Sequence, residues 1–218
     1  MIYDAIEMEA FLGSYPSMGL RPSADSRLRF KGNFAFTATH DTLGEVQDVF
    51  SLQIDVPNGF PRDLPVVREI GGRIPRVGAY HVNPDKSLCL GSPLSLLLRI
   101  SQRPTLSGFA EDCIVPYLFA VSRKLETGEP LVFGELAHGD RGRLADYQLM
   151  FGLKSVQAVI ETLRMLGMKK RRANKLSCPC GCGQRLGVCG YNKRIAGFRE
   201  LTGRSWFRKE FNDLSGRS

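Results

Sequence analysis

Val46-Gln47-Asp48-Val49-Phe50-Ser51-Leu52-Gln53-Ile54-Asp55-Val56, closed by Pro57-Asn58-Gly59-Phe60-Pro61, is the stretch from which the fold is read. Phe50, Leu52, Ile54 and Val56 alternate with Val49, Ser51, Gln53 and Asp55, the period of a strand with one apolar face. The proline- and glycine-bearing run that follows stops it. Upstream, residues 28–39 are strand-like as well, and residues 40–45 suit the turn of a hairpin. Residues 64–70 read as a third strand, entered through Pro65. A short amphipathic helix over residues 5–12 precedes them and ends at Gly13-Ser14-Tyr15-Pro16.

Beyond the strands the pattern changes. Residues 71–93 are irregular and rich in Gly and Pro, the kind of loop on which functional side chains sit. Residues 105–123 read as a helix that turns Leu106, Phe109, Cys113, Leu118 and Val121 to the core. Pro116 lacks an N–H and clashes with the preceding turn, which predicts a kink or two shorter helices there. Residues 146–167 form the clearest helix, with Leu149, Leu153, Val156, Ile160 and Leu163 recurring every three or four residues. A helix, then strands, then a long loop, then helices predicts an α+β fold with an antiparallel sheet and flanking helices. No Gly-rich phosphate loop follows a strand, so nucleotide chemistry has no support.

The 218 residues allow one ordinary domain with a small appendage. No apolar run reaches the roughly 18 residues of a membrane span, and the first twenty residues lack the pattern of a signal peptide. The expectation is a cytoplasmic protein in a reducing compartment, without a membrane partner. Charge is unevenly distributed. From Arg164 to Ser218 there are 14 Lys and Arg against 3 Asp and Glu, whereas the preceding 163 residues carry 16 basic and 19 acidic groups. A near-neutral body therefore bears a strongly cationic tail, which attracts nucleic acid or an acidic protein surface.

Two cysteine-bearing segments carry candidate chemistry. In Tyr80-His81-Val82-Asn83-Pro84-Asp85-Lys86-Ser87-Leu88-Cys89-Leu90-Gly91, a lone Cys89 follows a His-x-Asn pair. Such a thiol can act as a covalent carrier with the Asn83 carboxamide steadying an oxyanion, or it can be a small buried hydrophobe. His138, in the polar Phe133-Gly134-Glu135-Leu136-Ala137-His138-Gly139-Asp140 segment, is a candidate base or orienting group. Its alternative is a plain helix-to-helix turn. The second segment, Cys178-Pro179-Cys180-Gly181-Cys182-Gly183-Gln184-Arg185-Leu186-Gly187-Val188-Cys189, has the clustering of a metal site. Cys178, Cys180, Cys182 and Cys189 are the candidate ligands and Zn2+ the expected ion. A redox-active thiol group and unligated cysteines are the rival readings.

These residues, taken together, resemble the ubiquitin-conjugating enzymes. Residues 50–67 resemble that family's central strand, its proline-rich turn and the next strand. His81-Val82-Asn83-Pro84 is similar to the His-Pro-Asn motif, and Ser87-Leu88-Cys89-Leu90 to the run bearing the active cysteine. Arg103-Pro104-Thr105-Leu106-Ser107 is similar to the start of the helix that follows. The likeness covers residues 5–124. It departs from the family in its proline, which follows Asn83, in Lys86 where glycine is common, and in lacking a tryptophan before Pro104.

The resemblance implies a conjugating-type domain over residues 1–168 that carries an acyl group on Cys89 as a thioester and transfers it to an amine. It implies Asn83 as oxyanion donor, with His81 as a support. The divergence points to a bacterial member, of the kind found in anti-phage operons including CBASS systems. Its partners would then be a ubiquitin-like protein or the C-terminus of a cyclase, with an activating enzyme. Residues 169–218 form the basic appendage. Its cysteine run resembles the zinc knuckle that ends SecA-type chains, except that Gly190 stands at the usual fourth ligand and Cys182 replaces a serine. The alternative is a catalytically inert domain of the same fold that recruits protein or nucleic acid through this tail.

Overall fold

The computed structural model describes residues 5–23, 27–131 and 139–216. The chain divides into two compact units, Met1–Leu136 and Ala137–Ser218.

In the first unit, helix α1 (Ala5–Ser14) leads into four strands: β1 (Met18–Arg21), β2 (Leu28–His40), β3 (Gly44–Val56) and β4 (Val66–Glu69). They form one antiparallel sheet in the order β1-β2-β3-β4. Phe34 lies opposite Phe50 and His40 opposite Gly44, so the hairpin turn is residues 41–43. This register puts Phe30, Phe34 and Phe36 on the same face as Phe50, Leu52, Ile54 and Val56, all buried. That is the outcome the alternation requires, because a one-residue slip would turn every one of them to the other face. Helix α1 closes one end of the core, with the Phe11 ring 4.9 Å from Phe30 and the Tyr15 ring stacked 4.1 Å from Phe34.

The opposite face is polar. There Asp55 is buried but held by Arg29 at 2.6 Å, Gln53 at 2.8 Å and Arg68 at 3.0 Å. A buried carboxylate is tolerated only with such partners.

After β4 the chain passes through a single 3-10 turn at Gly78–Tyr80 to α2 (Pro93–Gln102). Helix α3 (Leu106–Phe109), a π-helical turn (Ala110–Ile114) and α4 (Val115–Thr127) then run on as a continuous helical stretch. The π turn lies just ahead of Pro116 and is the local adjustment that accommodates it. Leu106, Phe109, Cys113, Leu118 and Val121 are all buried, as their spacing predicts.

The second unit contains α5 (Gly139–Phe151), α6 (Val156–Leu166), α7 (Lys170–Ala173), α8 (Tyr191–Ala196), α9 (Phe198–Leu201) and α10 (Arg204–Ser215). Helix α6 packs on α10 and α5. Helices α5 and α6, which the sequence groups with the N-terminal domain, thus fold with the cysteine-bearing segment.

The single helix expected over residues 146–167 is two helices. Leu153 N–H donates to Gln148 O at 2.9 Å and Gly152 N–H to Leu149 O at 3.2 Å, with Gly152 at φ 66°. These are the paired bonds of a glycine-terminated helix end. Ser155 then caps α6 by accepting from Ala158 N–H at 3.2 Å. The break moves the buried stripe, so that Leu149 is 78% exposed and Val156 46%. Tyr147, Phe151, Val159, Leu163 and Leu166 form the core in their place.

At the end of α6 the Arg199 guanidinium donates to the carbonyls of Met165 (2.9 Å), Leu166 (3.0 Å) and Met168 (3.2 Å). It thereby satisfies acceptors that a helix C-terminus leaves open. Buried Glu210 on α10 accepts from the Tyr147 hydroxyl and pairs with Arg143 at 2.7 Å.

Candidate functional site

Cys89 sits on a small hairpin built between the sheet and α4. Val82 and Leu88 form its bridge, Asn83 N–H donates to Ser87 O at 2.8 Å, and Lys86 N–H returns to Asn83 O at 2.9 Å. Both Lys86 (φ 65°) and His81 (φ 52°) adopt left-handed backbone to make the turn. The hairpin is tied to the sheet edge through Leu88 N–H, which donates to Val67 O on β4 at 2.8 Å. Helix α4 holds its other end. The Tyr117 hydroxyl donates to Tyr80 O and Lys124 Nζ to Ala79 O, each at 2.7 Å, and Lys124 also lies 4.9 Å above the Tyr80 ring.

Cys89 and His81 lie directly opposite one another, joined by a 2.8 Å bond from Cys89 N–H to His81 O. His81 thus supports the cysteine through its backbone. The Asn83 carboxamide donates to Ser87 Oγ at 3.0 Å, and Ser87 Oγ donates in turn to Asp85 at 2.6 Å. Asn83 therefore belongs to the turn's own side-chain chain. A group that the sequence reading does not name is the Gly91 backbone amide, whose effect on the Cys89 thiol is to lower its pKa. His138 lies outside the described residues.

The Cys89 thiol is half-buried. Burial pushes its pKa up, against the opposing pull of the Gly91 N–H. Cys113 is fully buried in the core, and burial raises its thiol to about 11. A thiol of that kind is inert packing. Burial likewise raises the Tyr117 hydroxyl, and the neighbouring Cys89 and Glu69 add to the effect.

The four remaining cysteines converge in the second unit. A short hairpin bridges Ser177 to Arg185, with Cys178 N–H donating to Gln184 O at 2.8 Å, while Gly181 (φ 80°) and Gly183 (φ 75°) turn its tip. Cys189 closes the group from the start of α8. The Sγ atoms of Cys178, Cys180, Cys182 and Cys189 all lie within 4.8 Å of one another. Neighbouring sulfurs are 3.2 Å (178–180), 3.7 Å (180–189) and 3.6 Å (182–189) apart. A tetrahedron of sulfurs about 2.3 Å from a central zinc has edges of about 3.8 Å, whereas a disulfide bond is about 2.05 Å. The spacing is that of a metal site, not of disulfides, and Cys182 stands in the group with the other three.

Tyr191 N–H donates to Cys189 Sγ at 3.4 Å, the kind of outer contact that orients a ligand. Without an ion the neighbouring thiols differ: burial pushes Cys178 up, while hydrogen bonds, foremost from Cys178, hold Cys180 down at about 7. Ligation requires thiolates. Four sulfurs at this spacing fit a metal ion.

Compared with protein-family models, curated proteins and solved structures, the chain matches none of them. Among the described residues no helix is long and apolar enough to cross a membrane.

Proposed function

We propose that the N-terminal unit is a divergent ubiquitin-conjugating-type domain and that Cys89 carries an acyl group as a thioester. The observation that carries this reading is the placement of Cys89. Its half-exposed thiol sits on a hairpin pinned to the edge of a helix-flanked, four-stranded antiparallel sheet.

The chemistry follows from that geometry. The thiol loses its proton to solvent, and the thiolate attacks the activated carbonyl at the C-terminus of a ubiquitin-like protein. As the new C–S bond forms and the tetrahedral intermediate collapses, the activating enzyme's leaving group departs with the electron pair. An amine, on a lysine or on a partner such as a cyclase, then attacks the thioester. The C–N bond forms, the C–S bond breaks, the amine gives up a proton, and the Cys89 thiol is restored. The Gly91 N–H is the donor we assign to steady the oxyanion. Removal of one such donor typically costs about 10²–10³ in rate. Asn83 joins it only by releasing Ser87. Backbone strain at His81 and Lys86 is in keeping with a loop shaped for a task.

In the C-terminal unit, the four-cysteine cage holds zinc. The ion would supply a structural crosslink to a small segment with little core of its own. Free thiols throughout the chain accord with a cytoplasmic setting, and a bacterial defence operon is the context in which we place the activity.

The test is incubation with a ubiquitin-like donor, its activating enzyme and ATP. A reductant-sensitive adduct should form with the native protein and be lost in Cys89→Ala. An adduct that survives that change would show the assignment to be wrong.

A further inference from the structure

The C-terminal unit carries a positive charge that its own fold does not neutralise. Beyond Arg164 the carboxylates are Glu210, buried against Arg143, and the exposed Glu200 and Asp213; the unit's others, Asp140, Asp146 and Glu161, lie on α5 and α6. Lys170, Arg171, Arg172, Lys175, Arg185 and Lys193 are exposed, and among the described residues none of them is paired with a carboxylate.

These cations share one hydrogen-bonded frame. Gly187 N–H donates to Asn174 O at 3.0 Å and Leu186 N–H to Leu176 O at 2.8 Å, which joins the end of α7 to the cysteine hairpin. Arg185 lies opposite Ser177 in that hairpin, and Asn192 N–H bonds Cys189 O at 3.1 Å where α8 begins. The charges therefore flank the cysteine cluster.

The sequence interleaves basic and aromatic residues here, a pattern that invites base stacking. The structure turns the aromatics inward. Tyr191 and Phe207 are buried, Trp206 meets Phe207 edge-on at 5.1 Å, and Tyr191 is tied to Thr162 at 3.0 Å. Phe198, Trp206 and Phe211 are half-buried, and none of the unit's described aromatics stands fully open to solvent. Val188 is exposed in the knuckle, but an acidic protein partner needs a cluster of apolar or aromatic anchors at the centre of its interface, and one valine is not that. A polyphosphate needs none, because affinity comes from the release of its condensed counterions.

We propose that the surface formed by α7, the four-cysteine knuckle and α8 binds the phosphodiester backbone of nucleic acid without selecting bases. This property is separate from acyl transfer.

The experiment is fluorescence anisotropy with the full-length, metal-loaded protein. The probe is a labelled mixed-sequence oligonucleotide, single-stranded and as a duplex, over a salt series. Affinity should fall linearly with the logarithm of salt, and Arg171→Glu/Arg172→Glu/Lys193→Glu should weaken binding by about tenfold or more and flatten that slope. Arg171→Gln/Arg172→Gln should act in the same direction with a smaller effect, and Cys89→Ala should bind as the native protein does. Metal content checks that each variant retains its fold. The proposal is overturned by three results: no binding, equal binding by folded charge variants, or tighter capture by polyglutamate or anionic phosphatidylglycerol vesicles than by the oligonucleotide.

Discussion

The Tyr117 hydroxyl donates to the carbonyl of Tyr80 at 2.7 Å, one residue before the His81 carbonyl that holds the amide of Cys89. A buried side chain of α4 thereby anchors the segment opposite the cysteine. Tyr117→Phe keeps the ring and removes the bond, and should cost about 1 kcal/mol in denaturant unfolding. Iodoacetamide should also label Cys89 faster, because its loop is released. An unchanged labelling rate would mean that the hairpin is held without Tyr117.

The two N-terminal cysteines should differ in reactivity. Because burial raises the Cys89 thiol, its alkylation should be slow at neutral pH and keep climbing beyond the range of an ordinary thiol, near 8.5. Cys113 should stay unlabelled in the folded protein. Its folded pKa, about 11, lies above the unfolded value, so the stability it contributes is complete below the unfolded value and is lost as pH rises towards 11. Peptide mapping of the labelled protein resolves both sites. Labelling of Cys113 at the rate of Cys89 would contradict the burial described here.

The cysteine cage should bind one zinc ion per chain, measured by elemental analysis of purified protein. Cys182→Ser tests the ligand that departs from the SecA-type pattern, and it should lower zinc occupancy as Cys189→Ser does. Chelation should expose amides of residues 177–191 to hydrogen exchange while leaving the first unit protected. Full zinc occupancy in Cys182→Ser would remove that residue from the ligand set.

Much of the fold is legible in the sequence because its signals are long. The alternation around Phe50 predicts the central hairpin, and the spacing of Leu106, Phe109, Cys113, Leu118 and Val121 predicts the face that α3 and α4 bury. Short-range chemistry is where periodicity misleads. Apolar spacing runs unbroken from Leu149 to Leu163, yet Gly152 and Ser155 end one helix and begin another. Helix α2 escapes the sequence reading even though Ser92 and Pro93 are an N-cap signal. Strand β1 is too short for alternation to show. At the candidate site the positions of Cys89, His81 and the four clustered cysteines are readable as residue types. The hydrogen bond from Asn83 to Ser87 is not, because either Cys89 or Ser87 lies within a carboxamide's reach in sequence. The Gly91 amide has no side chain to announce it.

Arg199 should matter for the second unit's stability. Its guanidinium serves three carbonyls at the end of α6, so Arg199→Ala should destabilise the unit by about 1–3 kcal/mol. Arg199→Lys should recover only part of this, because an ammonium cannot reproduce the planar fork. Thermal unfolding followed by near-ultraviolet circular dichroism gives the comparison, and full recovery by lysine would contradict the capping geometry.

The most direct measurement is intact mass spectrometry of Cys89→Ser beside the native protein, after incubation with a ubiquitin-like donor, its activating enzyme and ATP. The native chain should carry a donor adduct that a thiol reductant removes, and Cys89→Ser an oxyester adduct that resists reductant and yields to base. A reductant-sensitive adduct on Cys89→Ser would place the acyl group on another cysteine and remove Cys89 as the carrier.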